Sequence, residues 1–198
     1  MPNDAAVGWA LALWLLAASL IYLYGSLKLA VPTYLRFRGG RRLVTCPENH
    51  RPAAVVVSAL DAAASATLGR RRLQLKACSR WPEKKGCGQQ CLSQVEAAPA
   101  DCLVRTMLNR WYLGKSCVYC RKPFGVIRWH DDKPAFLGGD GRTRRWDEVT
   151  PEALPQVLAF DRPVCWNCHV AETFRREHPG LVVDRPWRGG ERGGRRAH

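Results

Sequence analysis

Lys115-Ser116-Cys117-Val118-Tyr119-Cys120-Arg121-Lys122-Pro123-Phe124-Gly125 and, beyond a gap of 44 residues between Cys120 and Cys165, Cys165-Trp166-Asn167-Cys168-His169 are the stretches on which the fold turns. Each sets two cysteines on either side of two residues, so that one tight turn can aim both thiolates at a single metal ion. Zinc takes four ligands in a tetrahedron with Zn–S bonds of ~2.3 Å, and two such turns supply them. The gap has room for a hairpin and a short helix. Residues 169–178 follow as a helix that Pro179-Gly180 stops, so the second pair lies at a helix start. Amides there favour thiolate and lower the cost of deprotonating Cys165 and Cys168.

A CxxC turn, a hairpin, and a second CxxC opening a helix resemble the treble-clef and zinc-ribbon class of four-cysteine zinc fingers. Cys117 and Cys120 with Arg121–Gly125, and Cys165 and Cys168 with the helix after them, carry the resemblance. It covers about a third of the chain. It implies a structural metal site and leaves function open, because such modules serve nucleic-acid binding, protein contacts and stability alike.

Cys165-Trp166-Asn167-Cys168-His169 also fits the c-type haem attachment pattern, with His169 as the axial ligand. Against that stand the first CxxC, which haem leaves unexplained, and the chain's only methionine besides Met1, which is Met107 on an apolar helix face. A thiol-redox CxxC would want a βαβ setting that this sequence lacks.

Working outward, the chain has nine cysteines in 198 residues, an odd number that a disulfide framework alone does not use up. The other five are Cys46, Cys78, Cys87, Cys91 and Cys102. Cys46, Cys78, Cys87 and Cys91 can form a second four-thiolate site, for zinc or for an Fe–S cluster, leaving Cys102 as a buried thiol at a helix start. The plainer alternative is five small buried hydrophobes, a common fate of free cysteine.

At the N-terminus residues 5–27 carry no charge and include Trp9, Trp14, Leu20 and Ile21. About 20 apolar residues span a bilayer's hydrocarbon core, so 5–27 reads as a transmembrane helix. A cleaved signal peptide fits poorly, since Asp4 and no Lys or Arg precede the apolar run. Lys28, Arg36, Arg38, Arg41 and Arg42 follow it. Positive flanks stay cytoplasmic, so the expected location is the cell membrane, single-pass, with the soluble part in the cytoplasm. Residues 28–42 read as a basic juxtamembrane linker that can lie against anionic lipid headgroups.

The expected fold class is α+β: one transmembrane helix, then a small cysteine-rich, metal-stapled domain of short hairpins and helices. Two modules are expected, 43–114 and 115–185, with 186–198 a disordered Arg/Gly tail. In the first, strands over 43–46 and 53–58 precede a short helix capped by Asp61. Alternation over 72–78 turns Leu73, Leu75 and Ala77 to one face and Cys78 to the other. A further short helix follows Gly88, and Leu103, Val104, Met107, Leu108 and Trp111 mark a helix ending at Gly114. In the second module 125–130 and 142–146 read as strands, and Thr150-Pro151-Glu152 opens a helix.

No catalytic constellation is present. There is no HExxH, no phosphate-binding glycine loop and no Ser/His/Asp arrangement. Trp129-His130-Asp131-Asp132 before Lys133-Pro134 reads as a solvated hairpin end rather than an acid–base site. The sequence therefore points to a zinc-binding interaction or assembly module at the cytoplasmic membrane face, with a protein partner. Two alternatives stand beside it. One is membrane-anchored electron transfer, through haem at Cys165, Cys168 and His169 or Fe–S at the first group. The other is nucleic-acid binding by the basic surface, from Arg70 to Lys85 around Trp81.

Overall fold

The computed structural model describes residues 3–70, 72–84, 86–130 and 133–182. The expected disordered tail, 186–198, lies outside the described residues, as do Asp131 and Asp132.

Helix α1 runs without a break from Asn3 to Phe37. Within it Val7–Phe37 is long and apolar enough to cross a membrane, and none of its most apolar window is buried in the rest of the protein. Pro32 lies inside the helix and has no N–H to donate to the preceding turn. Beside it the Thr33 hydroxyl donates to the Leu29 carbonyl at 2.7 Å. The stretch read as a linker thus starts as helix. Its last turn docks on the domain, with Thr33 and Phe37 buried.

Arg42 is the largest fully buried side chain. Its Nη2 donates to the Arg36 carbonyl at 3.2 Å, at the C-terminal end of α1, and its Nε to the Pro99 carbonyl at 3.4 Å. A buried cation there satisfies an orphan helix carbonyl and complements the negative end of the helix dipole. The guanidinium also lies over the Phe37 ring, 5.9 Å from its centroid.

Strands β1 (Arg42–Thr45), β2 (Pro52–Val57) and β3 (Leu75–Cys78) form an antiparallel sheet in the order β1-β2-β3. Helix α2 (Ala59–Thr67) joins β2 to β3 and packs against α1. Its N-cap is Ser58, whose hydroxyl accepts from the Asp61 amide at 3.4 Å, so Asp61 sits in the first turn rather than at the cap. The sheet registers Val57 with Leu75, Val56 with Ala77 and Val55 with Cys78, a shift of one residue. This bulge breaks the simple alternation. Leu75 and Cys78 come to the same face, towards the core, whereas Ala77 is exposed. The expectation for Cys78 was the reverse.

Helix α3 (Leu92–Ala97) follows the cysteine loop, and α4 (Val104–Tyr112) ends before Gly114, whose φ of 75° is the left-handed conformation that glycine adopts without strain. The apolar face of α4 buries Val104, Leu108 and Tyr112. They pack with Ile127, Phe136, Leu154 and Val157 as well as Leu43, so one core crosses the point where two modules were expected to divide. The first core, around Val44, Val55, Val57 and Val95, takes in Phe37 from α1.

A second antiparallel sheet comprises β4 (Ala135–Leu137), β5 (Thr143–Arg145) and β6 (Arg162–Val164), in the order β5-β4-β6. The turn over 138–141 joins β4 to β5, with the Gly138 amide donating to the Arg142 carbonyl at 3.0 Å. Two 3₁₀ turns (Trp146–Glu148 and Pro151–Ala153) and helix α5 (Leu154–Phe160) lie between β5 and β6. Residues 125–130 form no strand. Ile127 is buried there, but among the described residues no neighbouring strand offers that backbone a ladder. Helix α6 (Trp166–Glu177) closes the domain.

Candidate metal centre

The first CxxC is a tight knuckle. The Cys117 amide donates to the Lys122 carbonyl at 2.9 Å, and the Arg121 amide to the Cys117 carbonyl, also at 2.9 Å. Arg121 takes a left-handed φ of 61°, which reverses the chain immediately after Cys120. The Val118 amide donates to the Pro163 carbonyl at 3.1 Å, tying the knuckle to β6. Strand β6 then delivers Cys165, with extended backbone, to the position just before α6, and Cys168 lies in the first turn. The long gap is thus filled by a β4–β5 hairpin, the 3₁₀ turns and α5, while the β4–β6 pairing brings its two ends together.

The ligand atoms of Cys117, Cys120, Cys165 and Cys168 all lie within 4.8 Å of one another. The Cys120 and Cys165 sulfurs are 3.7 Å apart. A tetrahedral ion with ~2.3 Å bonds separates its sulfurs by about 3.8 Å, so the spacing fits the group. Cys117 is fully buried against Ala135, Leu137 and Val164, and Cys120 is exposed at the rim.

Electrostatics differ across the four. Burial pushes the Cys117 thiol up, but the amides of Cys120, Cys165 and Tyr119 aim at its sulfur and bring it down to about 7. The Cys165 amide does so at 3.4 Å. The Cys165 and Cys168 thiols lie above the ordinary value. Burial is the main cause for both, and crowding by the other thiols adds to it. For Cys165 the Cys168 amide at the helix start pulls the other way, as expected of that position, but does not overcome burial. Four thiols this close cannot all ionise beside one another, and a divalent cation at their centre removes the conflict.

His169 is buried and is not a surface residue of the first helical turn. Its Nδ1 shares a 2.9 Å hydrogen bond with the Thr143 hydroxyl, joining α6 to β5. Its ring lies 5.5 Å from that of Trp166. Nothing in the sequence pairs His169 with Thr143, because strand and helix meet there only through the tertiary fold. The Tyr112 hydroxyl, which donates to the Ala135 carbonyl at 2.6 Å behind Cys117, was equally hidden.

Cys46, Cys78, Cys87 and Cys91 line one cavity of about 170 Å³ in the first half of the domain. Cys46 follows β1, Cys78 ends β3, and Cys91 is buried just before α3. Among the described residues no second group of three or more ligand side chains is gathered as closely as the C-terminal four. Burial, then the charges of Cys78, Cys87 and Cys46, pushes the Cys91 thiol up. Cys102 lies outside the cavity lining, its thiol 3.6 Å from the Gln94 carbonyl.

The remaining sequence candidates are dispersed. His130 is exposed. Trp129 packs edge-on against Trp146, with the Arg105 guanidinium over both rings. Of the basic run, Arg80 and Lys84 are paired with Glu48, at 3.3 and 2.9 Å, and Trp81 packs on the first core. No known protein family matches this chain, and no curated protein or solved structure is significantly similar to it.

Proposed function

We propose that this chain is a membrane-anchored zinc protein whose C-terminal four-thiolate site is structural. The domain would act as an interaction or assembly module on the cytoplasmic face. The observation that carries this reading is the gathering of four sulfurs at the spacing of a single tetrahedral ion. Four thiolates complete the tetrahedron and leave no position open for a substrate, which favours support over catalysis. The convergence of Cys117 and Cys120 on Cys165 and Cys168 favours a four-thiolate ion over haem, which would use only the second pair. The uncovered apolar surface of α1 favours a span, and the basic residues after it favour a cytoplasmic domain beside anionic lipid.

Two experiments test the reading. Full-length protein purified in detergent should carry about one zinc at the C-terminal site, and Cys165→Ser should lose it. Metal retained in that variant would remove the basis of the proposal. A reporter active only outside the cytoplasm, fused after His198, should stay silent, and strong activity would reverse the orientation.

A further inference from the structure

The first cysteine group differs from the C-terminal one in a way that bears on what it holds. Three separate elements deliver Cys46, Cys78 and Cys91 to one cavity, and the intervening loop adds Cys87. The bulge in β3 matters here, since without it Cys78 would face away from Val55 and the core. These thiols share one cavity without being gathered as closely as the C-terminal four. The cavity, which opens on one side to solvent, has a volume of about 170 Å³. That exceeds the room a single ion needs between sulfurs and suits a compact inorganic body of several heavy atoms.

We propose that Cys46, Cys78, Cys87 and Cys91 bind a [4Fe–4S] cluster. Such a cluster takes four cysteine thiolates, one per iron, and by interposing four irons and four sulfides it holds them farther apart than one ion does. With its thiolates the cluster is anionic. The cavity is lined by Arg80 and Lys84 and by Glu48, which pairs with both and leaves one positive charge in excess, and the Arg80 Nη1 already donates to the Cys46 sulfur at 2.8 Å. Hydrogen bonds to cluster sulfurs are one of the ways a protein sets cluster potential. This site goes beyond the zinc reading and does not rest on it: iron reports on this cavity and zinc on the C-terminal group.

The test is metal and sulfide analysis of the full chain, purified anaerobically in detergent and then supplied with ferric iron, sulfide and excess thiol, the thiol reducing half of the iron to give the mixed-valence cluster. The expected result is about four iron and four acid-labile sulfide per chain, with new visible absorption. Cys78→Ser and Cys91→Ser should each lose the iron and the colour while keeping the zinc, which reports that the remainder has folded. Cys102→Ser should keep both metals. Protein that takes up no iron, or that holds two zinc per chain and stays colourless, would overturn the assignment. Iron retained in full by both Cys78→Ser and Cys91→Ser would do the same.

Discussion

At the C-terminal centre two short turns each present a pair of sulfurs, and one strand pairing brings the turns into contact. In the first half of the domain four cysteines arrive singly, from a strand end, a bulged strand, a loop and a helix start, and surround a cavity. The residue type is the same and the distance over which its placement is determined is not. Within a CxxC turn the two thiolates are set by four consecutive residues. Around the cavity each thiolate depends on the register of a sheet and the seating of a helix. A local motif can therefore set the spacing within each pair of sulfurs and leave one strand pairing to join the pairs, whereas four singly placed thiols can line something larger.

The largest expected effect falls on the local site. Cys117→Ser should release its zinc and forfeit binding free energy of about 10 kcal/mol or more, the scale found for structural zinc in small modules. Hydrogen exchange should rise sharply over 115–125 and 162–177, while β1, β2 and β3 stay protected. Equal loss of protection in both sheets would mean that the shared core around Leu108 makes the two regions one cooperative unit.

A smaller change separates support of the site from membership of it. His169→Ala should keep the zinc and lower stability by about 1–3 kcal/mol, because the buried Thr143 hydroxyl loses its partner. Denaturant melts with parallel zinc analysis would check this, and zinc loss would make His169 part of the centre.

The smallest effect concerns a tie between the regions. The Glu152 carboxylate accepts from the Ala54 amide in β2 at 3.0 Å. Burial pushes this carboxyl up, but hydrogen bonds from the Ser79 hydroxyl and from the Glu152 and Ala54 amides, with the charge of Arg41, hold it below its usual 4.5. A depressed carboxyl contributes stability above the ordinary value and loses it as pH falls through the folded one. Wild-type protein should thus weaken as pH drops below 4.5. Glu152→Gln should flatten that decline and cost less than about 1 kcal/mol at neutral pH. An unchanged acid limb would show that the tie contributes nothing.

The same difference in range governs how much of the molecule could be read from its residues. The pairing of Cys117 with Cys120 and of Cys165 with Cys168, α4 and the start of α6 follow from patterns a few residues long, and the apolar helix from an uninterrupted run without charge. Strands β4 and β6 have three residues each, too few for any periodicity, and Ala135-Phe136-Leu137 is buried on every side chain. The orientation of Cys78 was misjudged because a bulge is decided by the neighbouring strand. The segment 125–130 has the composition of a strand and no partner among the described residues. His169 and Thr143 are 26 residues apart and meet only once the sheet has formed.

Helix α1 enters the domain core at Phe37, with Arg42 fastened to its last turn. If α1 crosses the bilayer, that arrangement makes the span a shaft and not a tether. The azimuth of the domain about the membrane normal is then set by helical phase. Inserting one residue between Leu29 and Thr33 would turn the whole cysteine-bearing body by about 100°, and two insertions would leave it facing nearly the opposite way. In that case, the face that the domain turns to its surroundings is written in the number of residues between the span and Phe37.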